Sequence, residues 1–268
     1  MIIDFHTHVF PDALAKRAMA SLYDSAGGQY EPVHDGTVSG LLENMDMAGI
    51  DISVVQPVIT KPSQTKSINE WAASICSDRL VCFGGVHPQT DDYKRDIDFV
   101  VGLGLKGLKF HAEYQDFILD DPYMLKIYDY ALGKGLILLH HGGSDPAFSA
   151  PYRSSPQRFL NVVKAMAGGV IIAAHFGGHD QWDDVENILV GSNIYLDTSM
   201  GFDYYPTDQF LRIVDKHGID KILFATDSPW SNPKTELTAL SNLPLAAADI
   251  EAITSGNALR LLGISDVV

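Results

Sequence analysis

The chain has 268 residues, of which 46% are hydrophobic, so it is long enough to bury a large core in a single domain. Its 34 acidic residues outnumber its 19 lysines and arginines and give a formal net charge of −15, which disfavours nucleic acid and anionic membranes as partners. No apolar run approaches the ~20 residues of a membrane span, and no basic signal-peptide region precedes the first apolar segment, so a cytoplasmic protein acting on a small molecule is expected.

A pair of histidines stands in the first apolar segment, within Asp4-Phe5-His6-Thr7-His8. Because side chains alternate along a strand, His6 and His8 are expected on one face. Two neutral imidazoles suit a divalent metal ion such as zinc or manganese. Two surface histidines at a strand end are the alternative, and the later strands must decide between them.

Short apolar runs then alternate with amphipathic segments along the whole chain. Eight such repeats predict a single (β/α)₈ TIM barrel, residues 1–268, rather than an open doubly wound sheet. No dinucleotide-binding or P-loop fingerprint is present, and the long loop 21–38 is a candidate active-site flap. After the N-terminal strand, the predicted strands are 51–58, 80–86, 105–110, 136–140, 170–175, 193–198 and 222–227. The predicted helices are 39–49, 67–77, 92–101, 122–132, 156–167, 183–190, 207–217, 245–253 and 257–262.

In such barrels the functional residues lie at the carboxyl ends of the strands. Only one of two adjacent histidines on strand five can point into the barrel, and we favour His140, since His141 begins a Gly-Gly turn. On strands six and eight the predicted inward faces end at His175 and Asp227. The polar residues at the strand ends are His6, His8, Lys109, His111, His140, His175 and Asp227.

The order His-x-His, then His, then His-x-Gly-Gly, then Thr-Asp-x-Pro resembles the amidohydrolase superfamily. It is most similar to the amidohydrolase-2 branch, which includes the aminocarboxymuconate semialdehyde decarboxylase-like proteins, and the resemblance runs through essentially the whole chain. It implies one divalent metal ion, with zinc expected and manganese as the alternative. The implied ligands are His6, His8, His140 and Asp227, and His175 is the implied proton-handling residue.

The chemistry of these residues agrees with that implication. Three neutral imidazoles and one carboxylate leave the site net positive, enough to lower the pKa of bound water toward ~7. His175 can hold or pass the proton, and Asp227 can serve both as ligand and as proton acceptor.

Strand four departs from the pattern of the two-metal relatives, which carry a carboxylate or a carbamylated lysine there. We expect Lys109 to supply positive charge to an anionic substrate. A carbamate on Lys109 that bridges two metal ions is the alternative. His111 is expected to face the same site.

Substrate-binding residues are sought in the loops beyond the strands. An arginine among aromatic rings suits a planar carboxylate, so Arg153 and Trp230 are candidates, with ordinary loop packing as an equal alternative.

Two reactions use the same set of ligands. The first is hydrolysis of an amide, lactone or ester of a small, carboxylated molecule by metal-activated water. The alternative is metal-dependent, non-oxidative decarboxylation of an aromatic or unsaturated acid. A metal-binding barrel without catalysis is a third class, and a homodimer is compatible with any of them.

Overall fold

A computed structural model describes residues 1–265, so the last three positions of the predicted domain 1–268 lie outside the described residues. Every predicted strand contains an observed one, and all neighbouring strands run parallel. The strands are β1 (Ile3–Thr7), β2 (Ile52–Val55), β3 (Leu80–Cys82), β4 (Gly107–Phe110), β5 (Ile137–His140), β6 (Ile171–Ala173), β7 (Tyr195–Asp197) and β8 (Ile222–Leu223).

The strands close on themselves in chain order. Strands β1 to β3 form one ladder and β4 to β8 another. A backbone bridge between Gly84 and Leu108 joins β3 to β4, and the amide of Phe5 donates to the carbonyl of Phe224 at 2.9 Å to join β1 to β8. The predicted (β/α)₈ barrel is therefore confirmed.

The helices surround this barrel, and two of them were not predicted. Asp12–Ser25 occupies the start of the predicted flap, which leaves a loop of residues 26–37, and Pro233–Ser241 begins behind the capping side chain of Asn232. No helix among residues 1–265 is long and apolar enough to cross a membrane. The helices are α1 (Asp12–Ser25), α2 (Val38–Ala48), α3 (Thr65–Ile75), α4 (Tyr93–Gly102), α5 (Pro122–Gly133), α6 (Pro156–Ala165), α7 (Trp182–Asp184), α8 (Thr207–His217), α9 (Pro233–Ser241), α10 (Ala247–Glu251) and α11 (Asn257–Leu262).

The strands are buried on both faces, as parallel barrel strands must be. Leu139 and Ala174 belong to the cluster inside the barrel, whereas Leu138 and Ala173 pack beneath the helices. Strand six is thus rotated by one residue relative to the predicted inward face, which ends at His175 and by alternation includes Ala173.

A substitution at Gly107 tests the packing of the barrel interior. A Cβ at this position would lie 2.5 Å from the carbonyl oxygen of Ile137 and 2.5 Å from the Phe83 ring. We expect Gly107→Ala to lower the free energy of unfolding by about 1–3 kcal/mol through overpacking. The control is Gly133→Ala at the end of α5, where a Cβ meets no atom of the described residues within 4 Å. Urea unfolding followed by circular dichroism checks both variants, and equal midpoints for the two would contradict the packing described.

Candidate metal centre and active site

Three side chains converge where β1 and β8 end. The Nε2 atoms of His6 and His8 are 3.2 Å apart. Asp227 Oδ1 lies 3.0 Å from His8 Nε2 and 3.3 Å from His6 Nε2. The His6 side chain is fully buried, and those of His8 and Asp227 are 16% and 13% exposed. The structure therefore assembles three of the four predicted ligands within hydrogen-bonding distance of one another.

The hydrogen bonds on the far edges of both imidazoles fix their tautomers. His8 Nδ1 lies 2.7 Å from the carbonyl oxygen of Gln56, which can only accept, so this nitrogen carries the proton. His6 Nδ1 lies 3.0 Å from the carboxylate of Asp197 and donates in the same way. Burial, with the nearby charge of Lys109, also holds the pKa of His6 well below its ordinary value. Both Nε2 atoms thus present lone pairs to each other and to Asp227.

Lys109 enters the same cluster from β4, as predicted. Its Nζ lies 2.8 Å from His6 Nε2, and its side chain is among the largest that are fully buried. Burial lowers the pKa of this amine from 10.5 to about 8, against the opposing charges of Asp227 and Asp197. Burial would raise the pKa of Asp227, but the neighbouring His6, His8 and Lys109 hold it below its ordinary value. A positive charge therefore adjoins the cluster, while the carbamate alternative stays a prediction.

This donor set fits a divalent cation. Two imidazole nitrogens and one carboxylate oxygen, all acceptors, face one another within 3.3 Å. Acceptors crowded in this way repel one another unless a cation lies among them. Nitrogen and oxygen ligands of this type suit zinc and manganese alike.

His140 does not point into this site, and its predicted orientation is wrong. Its ring stacks on Phe110 with centroids 5.1 Å apart and meets the edge of Tyr128 at 4.8 Å, beneath the helices. Neither ring nitrogen has a hydrogen-bond partner among residues 1–265. The reason is register: Leu139 pairs with Lys109, and both side chains point inward, so His140 must point outward.

His141 occupies the inward position instead. Its Nδ1 lies 3.0 Å from His175 Nε2, and its Nε2 lies 3.1 Å from the carbonyl oxygen of Ser144. The carbonyl requires a proton on Nε2, which leaves the Nδ1 lone pair directed at His175. Burial, with His111 nearby, holds the pKa of His141 well below its ordinary value, so the ring is neutral.

His175 reaches the site because the backbone turns sharply after β6. His175 and Phe176 both have φ of 56°, in the left-handed region. The His175 ring lies 5.5 Å from that of His6, centroid to centroid. Burial and the neighbouring His141 and His6 hold the pKa of His175 well below its ordinary value. His175 therefore lies near His6, where a proton-handling group is expected. It reaches this position through the turn and not through the strand alternation from which it was predicted.

His111 lies directly beside His141. Their rings stack 4.0 Å apart and 15° from parallel, and His111 Nε2 lies 3.1 Å from Asp145 Oδ2. These three residues form a second group of metal-ligating type. The two imidazole planes are nearly parallel, so their in-plane lone pairs point side by side, and the hydrogen bond from His111 to Asp145 joins the group.

The two loop residues predicted to bind substrate, Arg153 and Trp230, lie at different distances from the cluster. Arg153 is not brought to the cluster: its guanidinium pairs with Asp116 at 2.7 Å, and it lines a separate groove of about 530 Å³ with Phe117. Trp230 is half-buried, and its amide donates to the carbonyl of Asp227 at 2.9 Å. Only Trp230 therefore adjoins the site.

Sequence reasoning missed Asp197, the last residue of β7, and Ser199, two residues beyond it. Ser199 Oγ lies 3.0 Å from His175 Nδ1, and Asp197 holds His6. Polar residues at the carboxyl end of strand seven were the available signal, since function gathers at that edge of the barrel.

Comparison with known proteins agrees with this geometry. The family model for the amidohydrolases matches residues 3–264. The chain belongs to the amidohydrolase family. The resemblance found in the sequence is thereby confirmed, and the protein is an enzyme of the amidohydrolase superfamily. A comparison with curated proteins finds no match.

Solved structures share the amidohydrolase barrel at low sequence identity. An uncharacterised TIM-barrel protein from Bordetella bronchiseptica is 18% identical, covers 98% of each chain and has a TM-score of 0.76. A 5-carboxyvanillate decarboxylase from Novosphingobium aromaticivorans, complexed with manganese and 4-hydroxy-3-methoxy-5-nitrobenzoic acid, is 15% identical over 98% of this chain and 96% of the other (TM-score 0.76). The 2,6-dihydroxybenzoate decarboxylase from Rhizobium is 18% identical over 98% of each chain (TM-score 0.69).

Two neighbouring histidines give a matched test of the metal centre. We expect His141, which points inward in place of His140, to complete the set of ligands, so that His141→Ala loses most of its bound metal with the Nδ1 lone pair. His140→Phe replaces a ring already packed among aromatic rings and should keep the wild-type metal content. Mass spectrometry of the metal in both purified variants checks this. Loss of metal from His140→Phe alone would contradict the assignment.

Proposed function

We propose that this amidohydrolase is a metal-dependent, non-oxidative decarboxylase of an aromatic or unsaturated acid. The observation that carries the proposal is the convergence of His6, His8 and Asp227 beside the buried ammonium of Lys109. A site with this balance of charge suits a substrate carboxylate, which is the group that a decarboxylase must hold.

Decarboxylases among the structural neighbours support this reaction over the hydrolysis that the sequence first suggested. Two of the three solved structures described above are decarboxylases of aromatic acids. Their identity to this chain is 15–18%, so they support the proposal and the residues of this chain must carry the mechanism.

We propose His6, His8, His141 and Asp227 as the residues that would hold the ion, with His141 replacing His140. A bound divalent cation would supply positive charge that holds the carboxylate and stabilises negative charge developing on the substrate. Zinc was expected from the sequence, whereas the manganese in the Novosphingobium decarboxylase favours manganese. The ion is therefore proposed only as a divalent transition metal.

The remaining groups would orient the substrate and move a proton. Lys109 adds positive charge on the β4 side of the cluster. Decarboxylation breaks the carbon–carboxylate bond, leaves its electron pair on carbon and requires a proton there. The net reaction consumes one proton from the solvent: His175, which is neutral at rest, would take up that proton at Nε2 and donate it to the carbon.

Aromatic rings continue outward from the histidines. Tyr114 meets His111 at 4.6 Å and Phe148 at 4.9 Å between ring centroids, and Tyr204 meets His179 at 5.5 Å and Tyr30 at 6.0 Å. Rings of this kind favour a flat, unsaturated substrate.

Carbon dioxide release from a panel of hydroxybenzoates and unsaturated diacids tests the reaction. We expect one carbon dioxide per product molecule. His175→Asn should lower kcat about 10²–10⁴-fold, the usual contribution of a proton-transfer group, while metal content stays at the wild-type level.

The control is His217→Asn, a buried histidine of α8 whose ring bonds to the carbonyl of Ile194 at 2.8 Å. It should retain its kcat. Acid release from amides, lactones or esters without carbon dioxide from any acid would contradict the proposal and restore the hydrolase.

A further inference from the structure

Asp197 lies between His6, a proposed ligand of the cation, and His175, the proposed proton carrier. It is fully buried at the end of β7. Its Oδ2 accepts from His6 Nδ1 at 3.0 Å, and its Oδ1 accepts from the backbone amides of His175 at 3.0 Å and Ser199 at 3.1 Å. One carboxylate therefore contacts both the His6 ring and the backbone that carries His175.

Ser199 extends this network to the ring of His175. Its hydroxyl donates its only proton to Asp197 Oδ1. Toward His175 Nδ1, 3.0 Å away, the same oxygen can then only accept, so Nδ1 of His175 carries the proton. The lone pair of His175 is left on Nε2, which faces His141.

The same carboxylate also stabilises the turn that aims His175 into the barrel. His175 has φ of 56°, a conformation that side-chain-bearing residues rarely adopt. The bond from its amide to Asp197 fixes the residue at that turn. Asp197 thereby determines where the His175 ring lies, in addition to its proton position.

We propose that Asp197 and Ser199 are positioning residues that fix the tautomers of His6 and His175, so that both Nε2 lone pairs face the reaction site. Hydrogen-bond partners on the far side of a metal-binding imidazole commonly set its tautomer and strengthen binding. Here the carboxylate of Asp197 fixes the tautomer of His6 directly and that of His175 through Ser199. The role of the His175 lone pair rests on the proposed function, whereas the tautomers themselves do not.

Asp197→Asn changes the hydrogen bond that fixes the His6 tautomer. The two backbone amides and the Ser199 hydroxyl require the oxygen of the new amide, so its NH₂ group turns toward His6 Nδ1. His6 must then accept there and carry its proton on Nε2, the edge that binds the cation. We expect the dissociation constant for zinc to rise 10–100-fold.

Ser199→Ala separates the two effects. His6 keeps its bond to Asp197, so we expect zinc affinity within about threefold of wild type, whereas His175 Nδ1 keeps only the more distant backbone carbonyl of residue 199, at 3.4 Å, to hold its proton. Asp96→Asn is the matched control, because Asp96 is also buried but its carboxylate accepts from Thr90 and Arg95 on the α4 side, outside the barrel.

Nitrogen-15 NMR of histidine-labelled protein, with and without zinc, reads the tautomers directly, and competition with a chelator gives zinc affinity. Wild-type protein should show His6 and His175 protonated at Nδ1. The proposal is overturned if either ring is protonated at Nε2 in wild type, or if folded Asp197→Asn binds zinc as Asp96→Asn does. The wild-type spectrum decides the matter even if Asp197→Asn fails to fold. Neither readout involves turnover, so failure of the decarboxylase proposal would be seen separately in the carbon dioxide assay.

Discussion

Mutual repulsion among acceptors is the constraint on which the site depends. The Nε2 atoms of His6 and His8 and one oxygen of Asp227 lie within 3.3 Å of one another, and their far edges are held so that no proton lies between the two rings. Such a cluster is stable only if positive charge compensates it. Lys109 supplies part of that charge, and a divalent cation would supply the rest.

The barrel makes this arrangement possible by closing β1 against β8. Asp4 ties the two strands, since its carboxylate accepts from the amide and hydroxyl of Thr226, at 3.0 and 2.6 Å, next to Asp227. Strands β4 to β6 then contribute Lys109, His141 and the turn at His175 from the opposite side. The ligands come from strands far apart in the chain, so the fold and the site form together.

The order of the strands and most of the site could be predicted from the sequence, because His6, His8 and Asp227 stand in motifs at strand ends. The choice between His140 and His141 could not. Strand β5 is buried on both faces, so its apolar residues show no alternation that marks the inward side. That side depends on the register with Lys109, which only the closed barrel reveals. The left-handed turn at His175 likewise has no local sequence signal.

Anomalous diffraction from crystals grown with manganese would locate the cation among these side chains. We expect a single strong peak bonded to His6, His8, His141 and Asp227. A peak bonded instead to the second group, which is His111, His141 and Asp145, or no peak at saturating manganese, would contradict this expectation. A second peak bridged through Lys109 would show instead that the centre is binuclear and that Lys109 does not act as a free ammonium.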